Sequence, residues 1–360
     1  MKKSALIAMS GGVDSSVAAF LMKERGYELR GVTMRLFRGN GGEEKEKSCC
    51  SDKDTDDAAE VAYKMDIPFE VLDLSREFES LIIDKFIRTY EGGGVPNPCI
   101  DCNSFMKFGL LLKYAEEQGF DCIVTGHYAR IEEENGRFIL KKAAVPEKDQ
   151  SYVLYGMTQE QLSKTVFPLG DLSKDETREI AKRQGFVNAA KHDSQDICFV
   201  PDGDYASFME RYTGKTYPDG NIVDKEGRVL GIHHGAVRYT NGQRRGLGVS
   251  APSPLYVIGK DMEKNVVYVG SDSDLYSDTL YAGEVNWISC PGIEREMRIK
   301  ARTRYSQKEQ SATVYPETEG RIKIVFDEKI RAVTPGQAVV MYDGEKVVGG
   351  GTITPWLPPF

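Results

Sequence analysis

A short apolar run that ends in a glycine-rich turn, with a helix directly after it, constrains the fold of this chain more than any other segment. Residues 5–9 (ALIAM) are typical of a buried strand, the turn is SGGVDSS at residues 10–16, and Ser15–Arg25 has the periodicity of an amphipathic helix. Glycines let a backbone approach an anion closely, and the amides at the start of a helix attract negative charge. The segment therefore predicts a phosphate-binding loop between a strand and a helix.

Strand-like and helix-like segments alternate in the part of the chain that follows, which favours a parallel sheet covered on both faces. The same criteria predict strands at residues 32–36, 69–74 and 121–125, a hairpin at 128–142 that turns at Asn135-Gly136, and helices at 55–65, 103–118, 159–164 and 174–184. Residues 38–51 are predicted to be a mobile loop, and residues 91–98 are too rich in Gly and Pro for regular structure.

The character of the sequence changes after about residue 202, where short alternating strands and Gly-rich turns predominate. We therefore predict an α/β protein with three domains: a parallel-sheet catalytic domain at 1–203, a small β-rich central domain at 204–277 and a C-terminal β-barrel at 278–360. The length of 360 residues suits two or three domains.

Composition limits where the chain works and what it binds. The apolar run at residues 5–9 is too short for a signal peptide, and no stretch approaches the roughly 20 apolar residues of a membrane span, so a cytoplasmic protein is expected. A net charge of −8 argues against indiscriminate binding to nucleic acid but allows a local basic surface. The seven cysteines are scattered unevenly, which is not the pattern of a disulfide framework.

The glycine-rich turn differs from a Walker A sequence, because it has no lysine and GxxxxGK[ST] does not occur in the chain. It resembles instead the SGGxDS loop of the N-type ATP pyrophosphatases, which hold the pyrophosphate released when ATP adenylates a substrate. The resemblance implies ATP and Mg²⁺ as ligands, with Asp14 helping to organise the metal ion and the pyrophosphate. The implied chemistry is activation of an oxygen atom as its AMP ester.

Three cysteines could carry further chemistry. Cys99 and Cys102 stand at CxxC spacing just before a predicted helix, whose positive end favours the thiolate form. Cys198 lies between Ile197 and Phe199, where a buried apolar role is the simpler interpretation. For the CxxC pair, metal or redox use and a purely structural role both stay open.

Motifs along nearly the whole chain resemble those of one family, the tRNA-specific 2-thiouridylases. They occur in that family's order: SGGVDSS at 10–16, PNPCIDCN at 96–103, TGHYAR at 125–130, KDQSYVLY at 148–155, FPLGDLSKDETR at 167–178, DSQDICF at 193–199, YTNGQRRGLG at 239–248 and TPGQAVV at 334–340. The resemblance implies a Rossmann-like ATP pyrophosphatase (PP-loop) domain, a small central domain and a C-terminal β-barrel. It also implies an enzyme that replaces O2 of the wobble uridine of tRNA by sulfur, with release of AMP and pyrophosphate.

The family resemblance also implies which residues bind the substrates. For ATP they are Ala8, Met9, Ser10, Gly11, Gly12, Val13, Asp14, Ser15, Met34 and Gly126. For tRNA they are Asn97 beside the target base, together with His127, Lys148, Asp149, Gln150, Arg304, Tyr305 and Gln337. For His127 we expect hydrogen bonding or packing rather than acid–base catalysis. A uridine stacked in an anticodon loop has to swing out to reach Cys102, so base flipping is expected.

Two routes for the sulfur follow from the resemblance, with Cys102 and Cys198 as catalytic residues in both. In the first, a Cys198 persulfide attacks C2 and displaces AMP, and Cys102 then releases the product through a transient Cys102–Cys198 disulfide. In the second, Cys99, Cys102 and Cys198 bind three irons of a [4Fe–4S] cluster whose fourth iron holds a sulfide. Other family members have an aspartate at the Cys99 position, so the cysteine found here favours the cluster. The sulfur donor, a cysteine desulfurase relay or free sulfide, stays open.

A basic segment near the C-terminus could hold the RNA. Residues 298–305 (RIKARTRY) alternate strictly, so a strand would present four cations on one face. Between Arg295 and Lys308 there are six basic residues and one acidic residue, a local charge of +5. Contacts to phosphates and a merely solvated strand face both explain this pattern.

Two other functions account for less of the sequence. A PP-loop amide ligase that acts on a small molecule would need neither the three cysteines nor the basic strand. A non-enzymatic RNA-binding or iron–sulfur module would leave the nucleotide loop without a purpose. Release of pyrophosphate that depends on tRNA would separate the three.

Overall fold

The computed structural model describes residues 2–37, 52–191 and 197–355. The chain divides into two compact units, and neither is continuous in sequence. The first unit consists of Met1–Ile83, Pro98–Gly203 and Glu345–Val348, and the second of Asp84–Asn97, Asp204–Gly344 and Gly349–Phe360. The loop predicted at residues 38–51, with Cys49 and Cys50, lies outside the described residues.

The first unit contains the predicted parallel sheet. Its strands in chain order are β1 (Ser4–Ala8), β2 (Glu28–Arg35), β3 (Phe69–Asp73), β4 (Cys122–Val124), β5 (Ala129–Glu134), β6 (Arg137–Lys142) and β7 (Thr165–Val166). Five of them are parallel in the order β3-β2-β1-β4-β7, and β5 and β6 form an antiparallel hairpin. Ala5, Leu6 and Ile7 of β1 are fully buried. A central parallel strand is covered on both faces, which explains its continuous apolar run.

Helices occur in both units, and the two at Asp84–Glu91 and Tyr205–Thr213 belong to the second unit. In chain order they are α1 (Val13–Glu24), α2 (Asp52–Lys64), α3 (Ser75–Phe78), α4 (Asp84–Glu91), α5 (Pro98–Asp101), α6 (Leu112–Glu117), α7 (Gln159–Ser163), α8 (Lys174–Arg183) and α9 (Tyr205–Thr213). Two π-helical segments, Glu79–Ile83 and Cys102–Leu111, connect α3 to α4 and α5 to α6. Within the described ranges, no helix combines the length and the apolar character needed to cross a membrane.

The hydrophobic core of the first unit fixes the turn between β1 and α1. α1 packs against α2 and α8, and Val17, Ala18 and Met22 of α1 are fully buried in the same cluster as Ile7 of β1. Burial of a side chain of valine or leucine size contributes about 1.5–3 kcal/mol to stability. The loop that joins the two elements is therefore anchored at both ends by packed residues.

The second unit is rich in β-structure. Four strands, β8 (Asp219–Val223), β9 (Val229–His234), β10 (Tyr256–Asp261) and β11 (Val266–Gly270), form a sheet in the order β10-β11-β8-β9. The strands that follow are β12 (Tyr276–Trp287), β13 (Met297–Arg302), β14 (Gln310–Pro316), β15 (Ile322–Arg331), β16 (Ala338–Asp343) and β17 (Lys346–Ile353). They run in the order β12-β15-β14-β13-β16-β17, and β12 also pairs with β17, which closes an antiparallel barrel. The predicted fold class is confirmed.

The second unit takes α4 and the loop after it from the middle of the first unit's sequence. The Tyr90 ring of α4 stacks on Tyr205 with 4.3 Å between the ring centroids, and Phe86 lies edge-on to Phe208. Phe86 and Tyr90 are both buried. The domain boundaries at 203/204 and 277/278 stay a prediction, and the second unit also contains Asp84–Asn97.

Candidate active site

The glycine-rich turn adopts the geometry of an anion-binding loop. α1 begins at Val13 after Gly12, an extended N-cap residue (φ −87°, ψ 160°) without a side chain to cap the helix. The Ser15 hydroxyl donates to the Gly12 carbonyl oxygen (3.0 Å) and accepts from the Ser10 amide (3.2 Å). Gly12 itself makes no side-chain bond to the first-turn amides of α1, and such amides at a helix start attract anions. The predicted strand, turn and helix are confirmed.

Two glycines are required where other segments approach this loop. A Cβ atom on Gly11, which has φ +72°, would lie 2.1 Å from the carbonyl oxygen of Asp54. A Cβ atom on Gly126 would lie 2.7 Å from the Ser15 amide nitrogen and from the Asp14 carbonyl carbon. Either contact is far too short for a real atom. The structure thus brings Gly126, one of the expected ATP residues, into direct contact with the loop.

Asp14 is held by two side chains from distant parts of the chain. The Lys174 ammonium lies 2.8 Å from each carboxylate oxygen of Asp14, and the Tyr128 hydroxyl donates to Oδ1 at 2.8 Å. The Lys174 side chain is 8% exposed, whereas that of Asp14 is 30% exposed. Tyr128 is itself buried, with its hydroxyl 3.0 Å from the hydroxyl of Thr177. Asp14 therefore faces solvent at the end of a buried polar cluster.

A second cluster holds the opposite side of the loop. The Gly11 carbonyl accepts hydrogen bonds from the Asn188 amide (3.0 Å) and from the Lys191 ammonium (3.1 Å). Lys191 also pairs with Asp54 and Asp57. Burial lowers the pKa of Lys191, but the hydrogen bonds to these two carboxylates outweigh it and raise the pKa above its ordinary value. Lys191 is therefore a cation fixed between two anions.

His127 lies inside the first unit, between two aromatic rings. Its ring centroid is 5.8 Å from those of Phe108 and Phe167, and its Nδ1 is 2.7 Å from the Thr125 hydroxyl. Burial, and secondly the charge of Lys107, hold the pKa of His127 well below its ordinary value. The imidazole is therefore neutral at physiological pH, and its contacts are those of packing and hydrogen bonding.

The motif at residues 148–150 is tied to the segment that contains Tyr128. Gln150 exchanges two hydrogen bonds with the Tyr128 backbone, one through its side-chain oxygen (2.9 Å) and one through its own amide (2.9 Å). The Asp149 carboxylate accepts from the Ser151 amide and hydroxyl at 3.1 and 2.8 Å. Gln150, expected to contact tRNA, thus supports Tyr128, the residue that bonds to Asp14, whereas Asp149 fixes Ser151.

The cysteines of the first unit differ in their surroundings. Cys99 in α5 is exposed, Cys102 starts the π-helical segment and is half-buried, and Cys198 is half-buried. None of the five described cysteines is in a disulfide. Among the described residues, no three His, Cys, Asp or Glu side chains are grouped closely enough to hold a metal ion. The predicted iron–sulfur ligand set of Cys99, Cys102 and Cys198 is therefore not supported.

In the second unit, Gln337 forms hydrogen bonds to the loop that precedes the CxxC motif. Its side-chain amide donates to the carbonyl oxygens of Val95 (3.0 Å) and Pro96 (3.1 Å), and the Val95 amide donates to the Pro335 carbonyl (2.8 Å). These bonds join two motifs of the sequence, TPGQ at 334–337 and the loop at 92–97, which ends at Asn97. The expected role of Gln337 as a tRNA contact stays a prediction.

The predicted strand at 298–305 ends at Arg302, so Arg298, Lys300 and Arg302 alternate along β13, while Arg304 and Tyr305 lie in the bend and turn that follow. Ile299, Ala301 and Thr303 are buried, while Lys300 is exposed. Arg298 forms a bidentate ion pair with Asp327 at 2.8 and 2.7 Å. The remaining two arginines bind protein atoms: Arg302 contacts the Tyr342 hydroxyl and lies over the Tyr305 ring, and Arg304 donates to the Ala332 carbonyl and the Thr334 hydroxyl. An unobstructed row of four phosphate-binding cations is therefore absent from this strand.

The site contains residues that sequence reasoning missed. The partners of Asp14 and of Gly11 belong to segments far along the chain; they are Tyr128, Lys174, Asn188 and Lys191. Lys174 had one recognisable signal, since it is a basic residue directly after the N-cap Ser173 of α8. Helix starts favour acidic residues, so a lysine there indicates another role.

Comparison with known proteins identifies the family. The chain matches the tRNA methyl transferase HUP domain at residues 3–202, the tRNA methyl transferase PRC-barrel domain at 206–271 and the aminomethyltransferase β-barrel domain at 277–353. It is 48% identical to the tRNA-specific 2-thiouridylase MnmA of Clostridioides difficile over 98% of both chains. It is also 48% identical to the protein of that name from Geotalea uraniireducens, over 98% of this chain and 95% of the relative. The chain belongs to the tRNA-specific 2-thiouridylase family.

One solved structure aligns with part of the chain. A solved 4-thiouridine synthetase in complex with RNA and bound ATP aligns over 58% of this chain and 50% of that chain, with 16% identity and a TM-score of 0.37. At this level of similarity nothing further follows for the site. The 2-thiouridylase family assignment rests on the near full-length relatives.

Proposed function

We propose that this protein uses ATP to convert the wobble uridine of tRNA to 2-thiouridine. The observation that supports this most is the loop at residues 10–16, with a glycine as the N-cap of α1 and a partly exposed Asp14, in a chain that matches 2-thiouridylases along almost all of its length. The substrate would be tRNA in the cytoplasm, bound with the help of Asn97, Lys148, Lys300 and Tyr305.

In the first proposed step, O2 of the uridine attacks the α-phosphorus of ATP and pyrophosphate leaves. The residues present fit a bound Mg²⁺, because this ion is usually held by one or two carboxylates together with phosphate oxygens, and Asp14 supplies such a carboxylate. When bound, the ion would neutralise charge on the phosphates. Amides at the start of α1 and the Ser10 hydroxyl would donate to phosphate oxygens.

In the second proposed step, the terminal sulfur of a Cys198 persulfide attacks C2 and displaces AMP. The Cys102 thiolate then attacks Cys198 Sγ, which leaves the sulfur on C2 and forms a Cys102–Cys198 disulfide. A dithiol reductant restores both thiols, and a desulfurase relay or another persulfide donor reloads Cys198. This route needs Cys102 and Cys198 alone, whereas delivery from an iron–sulfur cluster on Cys99, Cys102 and Cys198 is the alternative that the experiment below separates from it.

The decisive experiment compares sulfur transfer with and without iron. Protein is purified without oxygen, iron and acid-labile sulfide are measured, and 2-thiouridine is quantified on unmodified tRNA with ATP and a persulfide donor. We expect the iron-free protein and Cys99→Asp to be active, whereas Cys102→Ser and Cys198→Ser lose sulfur transfer. Cys290→Ser, a half-buried cysteine of the second unit, serves as the matched control.

Other outcomes lead to distinct conclusions. If activity follows about four irons per chain and Cys99→Asp loses both, a cluster delivers the sulfur and the persulfide route is wrong. If pyrophosphate is released only with tRNA but no thiouridine forms, the adenylation step stands and the sulfur step does not. If no condition gives pyrophosphate or thiouridine, the proposed function fails as a whole.

A further inference from the structure

Phe105 is an exposed aromatic residue on a segment that buries most of its large apolar side chains. It lies in the π-helical segment Cys102–Leu111, where Met106, Phe108 and Leu111 are at most 1% exposed. Phe105 itself is 41% exposed. A single exposed apolar side chain is common in proteins, so the meaning of this one depends on where it lies.

Phe105 lies close to the cysteine that the flipped uridine has to reach. It follows Cys102 by three residues in the same helical segment, a rise of at most about 4.5 Å along the axis. Cys102 is half-buried, whereas Phe105 is exposed to solvent. A uridine that reaches the Cys102 thiol therefore brings its neighbours in the RNA chain to the surface that contains Phe105.

Hydrogen bonds and close packing hold the backbone of this segment in place. The Asn103 side-chain amide donates to the Val153 carbonyl oxygen (3.0 Å), and the Lys107 ammonium donates to Asn103 Oδ1 (3.0 Å). A Cβ atom on Gly156 would lie 2.5 Å from the Ser104 hydroxyl oxygen, so the two backbones approach closely there. An aromatic side chain on a fixed element loses little conformational entropy when it binds a flat partner.

We propose that the Phe105 ring stacks on a base of the anticodon loop that flanks the wobble uridine. The inference rests on the proposed function, because it assigns a contact to the same tRNA. When the uridine swings out toward Cys102, it unstacks from its neighbours, which costs free energy. The Phe105 ring then covers the face of one neighbouring base, and this stacking stabilises the flipped conformation.

The chemistry of the surface favours a base over a protein as the partner of Phe105. Every base has a π face, so an aromatic ring can stack on it with little dependence on sequence. The unstacked bases of single-stranded RNA loops bind aromatic side chains in this way. A stable protein interface buries about 800 Å² on each partner, whereas one aromatic side chain supplies roughly 150–250 Å².

The first test measures tRNA binding without the reaction. Filter binding of unmodified tRNA with a non-hydrolysable ATP analogue is compared for the wild type, Phe105→Ala, Phe105→Leu, Phe105→Trp and the control Tyr63→Ala, at an 87% exposed tyrosine of α2. For Phe105→Ala and Phe105→Leu we expect about 5- to 100-fold weaker binding, as for loss of one stacked base. Phe105→Trp and Tyr63→Ala bind as the wild type does. The salt dependence of binding stays unchanged in all variants, because no phosphate contact is lost.

A second test identifies the base that stacks on Phe105. Two anticodon stem–loops carry an abasic nucleotide, one on the 5′ side and one on the 3′ side of the wobble uridine. With one of these RNAs, Phe105→Ala should bind as tightly as the wild type, because the ring has no base to stack on. With the other RNA, the difference between the two proteins should remain. The melting temperature of each variant verifies that the protein remains folded.

The results that overturn the proposal are distinct from those that overturn the proposed function. If Phe105→Leu binds tRNA as the wild type does, or if Phe105→Ala weakens binding of both abasic RNAs equally, the ring does not stack on a flanking base. Normal tRNA binding by Phe105→Ala, with slower loading of Cys198 by a persulfide donor protein, would assign the ring to contact with that protein. If the loss depends on one flanking base but the wild type forms no thiouridine, the proposed function is wrong and the stacking contact stands. A wild type that binds no tRNA contradicts both.

Discussion

The buried imidazole of His127 makes the stability of the first unit depend on pH. Because burial and the charge of Lys107 depress its pKa in the folded protein, the unfolded chain binds an extra proton below the unfolded pKa of about 6.5. The stabilisation is complete above that pH and is lost as the pH falls toward the folded pKa, by up to about 1.4 kcal/mol per pH unit. Urea unfolding at pH 7.5 and 5.5 measures this difference.

Substitution identifies the His127 contribution. His127→Gln should lower stability at pH 7.5 but show a smaller further loss at pH 5.5 than the wild type does. His234→Gln, at an exposed histidine, provides the control. Burial also lowers the pKa of His233, so some pH dependence remains in every variant that keeps it. An unchanged pH dependence in His127→Gln would contradict the assignment.

Single residues were the hardest part of the site to predict. Asp14 and the glycines of its loop are recognisable because their chemistry is local to seven consecutive residues. The partners of Asp14 are 114 and 160 residues away, and only the packing of α8 and of the segment before β5 brings Tyr128 and Lys174 to it. A single sequence holds no record of such pairings, although the lysine at a helix start was a usable signal.

At the scale of elements, β13 and the bend after it contain two kinds of basic residue, the exposed Lys300 and the internally bonded Arg304. Lys300→Met should leave thermal stability unchanged but weaken tRNA binding, and the slope of log affinity against log salt should fall by about 0.7–0.9. Arg304→Met should lower stability by about 1–3 kcal/mol, because the Ala332 carbonyl and the Thr334 hydroxyl lose a charged donor. Filter binding across a salt series and urea unfolding give the two quantities. A loss of stability in Lys300→Met, or weaker tRNA binding with unchanged stability in Arg304→Met, would contradict these assignments.

The loop before the CxxC motif should depend on Gln337. Gln337→Ala removes both side-chain bonds to Val95 and Pro96, so amide hydrogen exchange in a peptide that spans residues 92–97 should accelerate by about 10-fold or more. Gln310→Ala, at an exposed glutamine of β14, is the matched control and should change nothing there. Equal exchange in the two variants would show that the backbone bond from Val95 to Pro335 suffices.

Helices and strands whose apolar residues repeat with one period were predicted well, whereas those in which the period changes were not. The β1 run, the β5–β6 hairpin with positive φ at Asn135 and Gly136, and the alternation in β13 all follow local rules. The helical stretch from α3 to α4 was missed because π-helical residues 79–83 interrupt the 3.6-residue period. The segment predicted as one helix at 103–118 is likewise π-helical over Cys102–Leu111.

At the scale of the whole molecule, the order of the domain folds along the chain was predictable from the sequence. That α4 belongs to the second unit was not. Removal of everything after residue 203 would separate Phe86 and Tyr90 from Tyr205 and Phe208. The fragment 1–203 should therefore bind a hydrophobic dye and self-associate, even though it contains the complete parallel sheet. Dye fluorescence and size-exclusion chromatography of the fragment and the full chain test this.

A double substitution verifies the cause of that behaviour. Phe86→Ser with Tyr90→Ser should reduce dye binding by the fragment, because the exposed aromatic rings are gone. In the full chain the same substitutions should be destabilising, because these side chains are buried there. If the fragment stays monomeric and does not increase the fluorescence of the dye, another surface of the fragment covers the aromatic side chains of α4.

The bond from Gln337 to Val95 spans 242 residues, and this separation imposes an order on biosynthesis. A ribosome that adds about 5–20 residues per second needs roughly 12–50 seconds to pass from one partner to the other. The nucleotide loop can form its contacts with residues of the first unit well before Gln337 is synthesised. The segment before Cys99 can form its hydrogen bonds to Gln337 only near the end of translation. An incomplete nascent chain can therefore bind a nucleotide before the segment next to its cysteines has reached its native conformation.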